Sequence, residues 1–301
     1  MKDPAYVLGH SEFELQRLER QERLIGPSTR EYLQGAGIGP GMRVLDVGSG
    51  TGVVAFLAAE LVGPSGEVIG TDRAPLAVAT ARSAAAAQGL GNVSFREGDP
   101  AEMTFDQPFD AIVGRYVLWC QADPGAMLRK LAKHLRLGGV IVSHEMDWSF
   151  VRSDPPAPTY DRCCRWITET FERVGTGANM TARLHRAFLD AGLPPPTMRM
   201  RTVIGDAHSA AEWLRATADL AISVLPAMEQ HGIATSADLG GDTLSDRIVQ
   251  EVASGGGIVV GRAEIGAWSR YREAEPHRTL ESSKDPWVVQ RSTGAEYDRS
   301  Q

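Results

Sequence analysis

Cysteine is scarce: Cys120, Cys163 and Cys164 are the three in 301 residues, and two of them are neighbours in sequence. Three thiols make no disulfide framework, and adjacent cysteines bridge only with strain, so reduced thiols and a cytoplasmic setting are expected. No Cys or His spacing suggests a metal site, and none is expected. Long apolar runs are missing too. Val53–Ala59 is the longest, far below the ~20 residues a spanning helix needs. Residues 1–6 carry no charged segment followed by an apolar signal core, and no membrane partner is expected. Positive charge is in deficit, with 31 Lys and Arg against 38 Asp and Glu and a net charge of −7. A field of that sign repels phosphate backbones, so no nucleic-acid partner is expected. The remainder is an ordinary globular mix, 43% hydrophobic and 23% charged.

Residues 11–25 read as a helix, with Ser11 and Glu14 in capping-box spacing and Gly26-Pro27 as its stop. A short helix over residues 28–34 and a glycine-rich linker follow. From residue 42 the chain alternates. Strands are expected at 42–47, 67–71, 93–97, 109–113 and 140–145. Helices are expected at 51–62, 75–88 and 124–137, the last stopped by Gly138-Gly139. Such strand–helix units predict an α/β fold with a doubly wound parallel sheet. After Glu145 the rhythm breaks. A stiff loop at 153–158, helices at 160–174 and 181–191, a strand at 197–204, a mostly helical stretch at 208–253 and a last strand near 263–269 are expected. Residues beyond 272 are polar and irregular.

The strongest signal is Val44-Leu-Asp-Val-Gly-Ser-Gly-Thr-Gly52. An apolar strand ends in three alternating glycines and a helix start. Glycines allow a sharp turn and close approach to a ligand, and the helix start offers free N–H groups. A dinucleotide loop wants G-x-G-x-x-G, whereas the spacing here is G-x-G-x-G with Asp46 two residues before it. A carboxylate there suits a cationic ligand. Asp72 ends the second strand, where it can take ribose hydroxyls. Asp99 follows the third strand and can accept from an adenine amino group. Gly114-Arg115 follows the fourth. These segments all lie at carboxyl ends of strands, where open α/β sheets bind ligands. A ligand with an amino-acid end and a nucleoside end fits: S-adenosylmethionine.

Residues 42–147 resemble the class I S-adenosylmethionine-dependent methyltransferases, of the group that includes ubiquinone/menaquinone and natural-product enzymes. The resemblance is carried by VLDVGSGTG (44–52), VIGTD (68–72), EGDPAEM (97–103), FDAIVGRYVLW (109–119) and LRLGGVIV (135–142). It implies a Rossmann-like seven-stranded sheet with its last strand antiparallel. Also expected are an N-terminal helical lid (1–35), a cofactor-binding core (36–147), the rest of the core with helical cap insertions (148–271) and a tail (272–301). Cofactor contacts are expected from Asp46, Gly48, Ser49, Gly50, Asp72, Arg73, Gly98, Asp99, Pro100, Gly114 and Arg115. Pro100 has no N–H to give an adenine ring. S-adenosylhomocysteine would be the product.

A small apolar acceptor is expected near Tyr6, Tyr116, Trp119 and Trp148, with His144 or Glu145 as base toward a hydroxyl. The Asn-Pro-Pro-Tyr tetrapeptide of nucleic-acid and protein methyltransferases is replaced by Gly114-Arg-Tyr-Val117. Two rivals stand beside this reading: a non-catalytic cofactor-binding regulator and an NAD(P)-dependent oxidoreductase. A helix on a glycine linker also permits exchange between protomers in a homo-oligomer.

Overall fold

The computed structural model describes residues 12–272, with side chains from residue 21 onward except that of Asp242. Helix α1 (Glu12–Gly35) leads into β1 (Arg43–Val47), α2 (Val53–Val62), β2 (Glu67–Asp72), α3 (Pro75–Ala87) and β3 (Val93–Glu97). Then come β4 (Phe109–Arg115), α4 (Pro124–Ala132), β5 (Leu135–Asp147), β6 (Arg152–Asp154), α5 (Pro158–Arg173) and α6 (Met180–Asp190). The rest is β7 (Thr197–Arg201), β8 (Ile204–Gly205), α7 (Ala211–Ser223), α8 (Leu225–Gln230), α9 (Ser236–Leu239), α10 (Leu244–Gly255), β9 (Ile258–Val260) and β10 (Ala263–Arg270). The main sheet has seven strands in the order β3-β2-β1-β4-β5-β10-β7. β1, β2, β3, β4 and β5 are parallel, and β10 runs antiparallel between β5 and β7. This is the expected Rossmann-like architecture. No helix among the described residues is long and apolar enough to cross a membrane.

Alternation along the central strands sorts side chains to two faces. Val44, Val68, Ala111, Val113 and Val142 pack under α1, α2 and α3. Leu45, Val47, Ile112 and Ile141 pack against α4 and α6. A third apolar cluster, with Trp148, Tyr160, Phe171, Trp213 and Leu214, joins α5, α7, α8 and α10 beyond the carboxyl edge of the sheet.

Four expectations are corrected. The helix expected to stop at Gly26-Pro27 continues to Gly35 with Pro27 inside it. An interior proline costs about 3 kcal/mol. Ile25, Tyr32 and Leu33 are buried, each contributing roughly 1.5–3 kcal/mol, so packing outweighs the break. The helix expected over 124–137 ends at Ala132, because His134 already accepts from Phe109 N in the sheet ladder. Gly138 and Gly139 instead let β5 absorb a register shift against β4. The strand expected to reach Ile204 stops at Arg201, and the stiff loop at 153–158 is partly strand. β6, β9 and β8 form a small antiparallel sheet absent from the sequence reading.

Tyr32 fixes α1 to the sheet. Its ring lies on Gly266 of β10, and its hydroxyl donates to Glu264 O at 2.7 Å. A Cβ at Gly266 would stand inside that fully buried ring. Gly266→Ala is therefore expected to cost about 2–3 kcal/mol by overpacking, read as a lower urea midpoint. An unchanged midpoint would mean that α1 is not held there.

Candidate cofactor site

β1 delivers Asp46 and then the glycine loop to the carboxyl edge of the sheet. Gly48 and Gly50 have φ of 63° and 54°, which side chains resist. A Cβ on Gly48 would lie 2.9 Å from Val117 Cγ2, whereas one on Gly50 would meet nothing within 4 Å. Gly48 thus serves the turn, and Gly50 leaves an open face. Ser49 N donates to Thr71 O at 2.9 Å, tying the loop to β2.

Asp72 has one oxygen on each side of the crevice: Oδ2 accepts from Gly50 N and Oδ1 from Ala74 N, both at 2.8 Å. The carboxylate expected to meet a ribose also braces the glycine loop and the entry to α3. Ala74, not Asp72, is the N-cap of that helix. Gly98 N donates to Asp72 O at 2.8 Å, which brings β3's exit alongside. There Asp99 accepts from Ala101 N (2.9 Å) and pairs with Arg73 (2.6 Å). Burial would raise its carboxyl, but Arg73 and the Ala101 N–H hold it below the ordinary range. Pro100 O is bonded to His134 Nε2 at 3.0 Å, so Pro100 shapes the crevice through its backbone.

Asp46 is the anomaly. It is 1% exposed, and neither carboxylate oxygen has a hydrogen-bond partner. Burial raises its carboxyl to about 8 and the charge on Asp72 adds to that, while Arg115 and the nearby Ala55 backbone N–H, which falls short of hydrogen-bond geometry, oppose it. The hydroxyl of Ser49 is also buried without a partner. Buried polar atoms are normally paired, so two orphans at a glycine loop point to a group supplied from outside. A primary ammonium beside Asp46, near the open Gly50 face, would satisfy both. The residues therefore fit the amino-acid end of S-adenosylmethionine.

At the exit of β4, Arg115 donates to Glu22 (2.7 Å) and Thr29 (3.0 Å) of α1. Tyr116 follows with φ 57°, the one non-glycine residue in that region among those described. Glu145 holds this turn. It is fully buried and accepts from Val117 N, Leu118 N, Trp119 N and Ser143 Oγ at 2.9–3.2 Å. Burial lifts its carboxyl to about 7 against those donors. His144 is also buried. Nδ1 meets Thr29 Oγ1 at 3.0 Å, and Nε2 meets Glu264 Oε2 at 2.9 Å. Burial pushes its imidazole below the ordinary value. His144 and Glu145, the residues expected as a base toward a hydroxyl, thus have Thr29, Glu264, Ser143 and the 117–119 turn as their hydrogen-bond partners.

Of the expected acceptor residues, Trp148 and Tyr116 meet around Arg262, whose guanidinium carbon is 5.5 and 5.3 Å from their ring centroids. Trp119 instead packs on Phe171 and donates to Tyr116 O. Tyr6 lies outside the described residues. Sequence reading missed Glu22, Thr29, Arg262 and Glu264. The last two had a signal: charges at i and i+2 inside the apolar run Ile258–Trp268 share one strand face.

A family model described as "Methyltransferase domain" matches residues 38–188. The chain belongs to this family, the class I S-adenosylmethionine-dependent methyltransferases. It is 40% identical over 116 residues to nocamycin O-methyltransferase of Saccharothrix syringae, covering 38% of this chain and 41% of that one. The chain thus spans less than half the length of that curated relative. Among solved structures, YcgJ of Bacillus subtilis superposes with a TM-score of 0.56 at 20% identity, covering 82% of this chain and 99% of that one. Geranyl diphosphate C-methyltransferase of Streptomyces coelicolor A3(2), solved with Mg2+, geranyl diphosphate and S-adenosyl-L-homocysteine, superposes at 0.52 with 15% identity, covering 87% and 84%. Such identities establish the methyltransferase fold alone.

Proposed function

We propose that this methyltransferase moves the methyl of S-adenosylmethionine to a small, largely apolar acceptor by in-line displacement. The observation that carries the reading is Asp46, a buried carboxylate with no partner behind a glycine loop. When bound, the cofactor supplies an electrophilic methyl on sulfonium sulfur. The chain's part is to grip and align. Asp46 would take the ammonium, with Gly48, Ser49 and Gly50 around the amino-acid end and Gly114 and Arg115 shaping it. Asp72 would take the ribose and Asp99 the adenine edge, with Arg73, Gly98 and Pro100 framing them. Alignment of this kind supplies roughly 7–11 kcal/mol of a two-molecule barrier. With His144 and Glu145 committed elsewhere, the acceptor nucleophile would be one that reacts without a strong protein base. α1 and the third apolar cluster would form the lid and cap over it.

The test is calorimetric titration with S-adenosylmethionine, followed by assay of S-adenosylhomocysteine with candidate acceptors. A carboxyl titrating near 8 is mostly protonated at pH 7 and must lose its proton to pair with an ammonium. Binding should therefore release close to one proton at pH 7, seen as a dependence of the observed heat on buffer ionisation enthalpy. Apparent affinity should climb between pH 6 and 8. Binding without proton release would remove Asp46 from this role. No binding by the folded chain would remove the proposed function.

A further inference from the structure

We infer that Arg115 serves two carboxylates in turn: Glu22 of α1 holds its guanidinium, and the methyl donor's own carboxylate displaces Glu22 on binding, which releases the first half of α1. The inference rests on the reading of Asp46 as the ammonium site.

The amino-acid end of the donor carries an ammonium and a carboxylate on one carbon. An ammonium at Asp46 therefore brings a carboxylate with it, and that group needs a cation close by. The charge of Arg115 reaches Asp46, but its guanidinium is already engaged. Nη2 donates to Glu22 Oε2 at 2.7 Å and Nη1 to Thr29 Oγ1 at 3.0 Å. Both oxygens of Asp46 are closed off from solvent, so something beside it has to move before an ammonium can touch them. Two carboxylates on one partly buried guanidinium would leave a negative charge unbalanced. The Glu22 side chain is 27% exposed against 11% for Arg115. Glu22 can therefore turn out into water, whereas a carboxylate tethered to an ammonium at Asp46 cannot.

The helix is built to part at this point. Thr29, Tyr32 and Leu33 in its second half are at most 2% exposed, and Tyr32 is bonded to β10. Glu22 lies two turns before Thr29, on the same face. Between them Pro27 has no N–H to donate to the Arg23 carbonyl, so the first half can bend away from an anchored second half. That first half packs imperfectly on α7. Gln21, Leu24 and Ile25 line a cavity of about 20 Å³ with Trp213, Thr217 and Leu220, room for about one water. The ion pair with Arg115 ties this half to the sheet.

The test compares S-adenosylhomocysteine with its decarboxylated analogue, S-adenosyl-3-thiopropylamine, by calorimetry on the full chain. The analogue keeps the ammonium and lacks the carboxylate. In Glu22→Gln, S-adenosylhomocysteine should bind about five-fold tighter than in the wild type, because its carboxylate has lost a competitor, while the analogue should change by less than about two-fold. A helix contact that only supports the fold would move both ligands alike. Hydrogen exchange gives a second readout. In the wild type, S-adenosylhomocysteine should speed exchange at the amides of residues 22–26 by about three-fold or more, and the analogue should not. Equal shifts for both ligands, weaker S-adenosylhomocysteine binding by the variant, or unchanged or slower exchange at 22–26 with S-adenosylhomocysteine would overturn the proposal. Should the variant fail to fold, the wild-type exchange rates still decide. S-adenosylhomocysteine binding with proton release but without these signatures keeps Asp46 as the ammonium site and removes the handover at Arg115. No binding of either ligand to the folded chain removes both.

Discussion

Asp46→Asn should stabilise the cofactor-free protein at pH 8, raising its thermal midpoint by about 5 °C or more, while weakening S-adenosylmethionine binding by about 10- to 100-fold. The sign follows from burial. The folded carboxyl titrates at about 8 against an ordinary 3.8. A raised folded value means that its stability contribution is full below about pH 4, is lost progressively as pH rises, and levels off above about 8. The ionised group then costs up to about 5 kcal/mol at pH 8. Asparagine removes the charge but leaves a buried amide worth about 1–3 kcal/mol of penalty, so a gain of about 2–4 kcal/mol remains. At a few degrees per kcal/mol for a chain of this size, calorimetry would resolve it. At pH 4–5 the midpoints should converge, since the wild-type group is then protonated. The lost affinity reflects a charge-assisted hydrogen bond of about 1.5–3 kcal/mol. Equal midpoints at pH 8 would show that Asp46 is solvated or paired, and the argument for a captured ammonium would go with it.

Arg262→Met is expected to be the most damaging single change, costing about 3–5 kcal/mol by urea denaturation at pH 7. Glu264 is 6% exposed. Burial alone would raise its carboxyl, yet Arg262, His144 and Tyr116 hold it at about 2. A depressed folded value contributes stability above about pH 4.5, and that contribution is lost as pH falls toward 2. Without Arg262 the carboxylate stays buried without its cation, and its proton affinity turns upward. The variant should then gain relative stability on acidification from pH 7 to 5, where the wild type gains none from this group. Adding Glu264→Gln should recover much of the loss at pH 7. A single variant as stable as wild type would mean that Glu264 reaches water.

Much of the cofactor half was legible in the sequence because local rules coincide there. Strand alternation, a three-glycine turn and carboxylates at strand ends all act within a few residues of one another, and the parallel register lines them up in space. The surroundings of His144 and Glu145 were not legible, for the opposite reason. Their types and their place at the end of β5 suggest acid–base work, but their partners lie far off in sequence: Thr29 and Glu264 for His144, and the turn at 117–119 for Glu145. Only the tertiary structure shows these pairings. Pro27 was misread, because local breaking power was judged without the burial of Tyr32 and Leu33.

The antiparallel pairing of β10 with β5 sets Ala263 opposite Asp147, so that the start of one strand arrives at the end of the other. Residues 206–257 leave and re-enter near that corner and contribute no strand to either sheet. Arg262 also lies downstream of the family-matched stretch. The strand ends that carry Asp46, Asp72 and Asp99 lie outside that excursion, so changes in its length leave them in place along the chain.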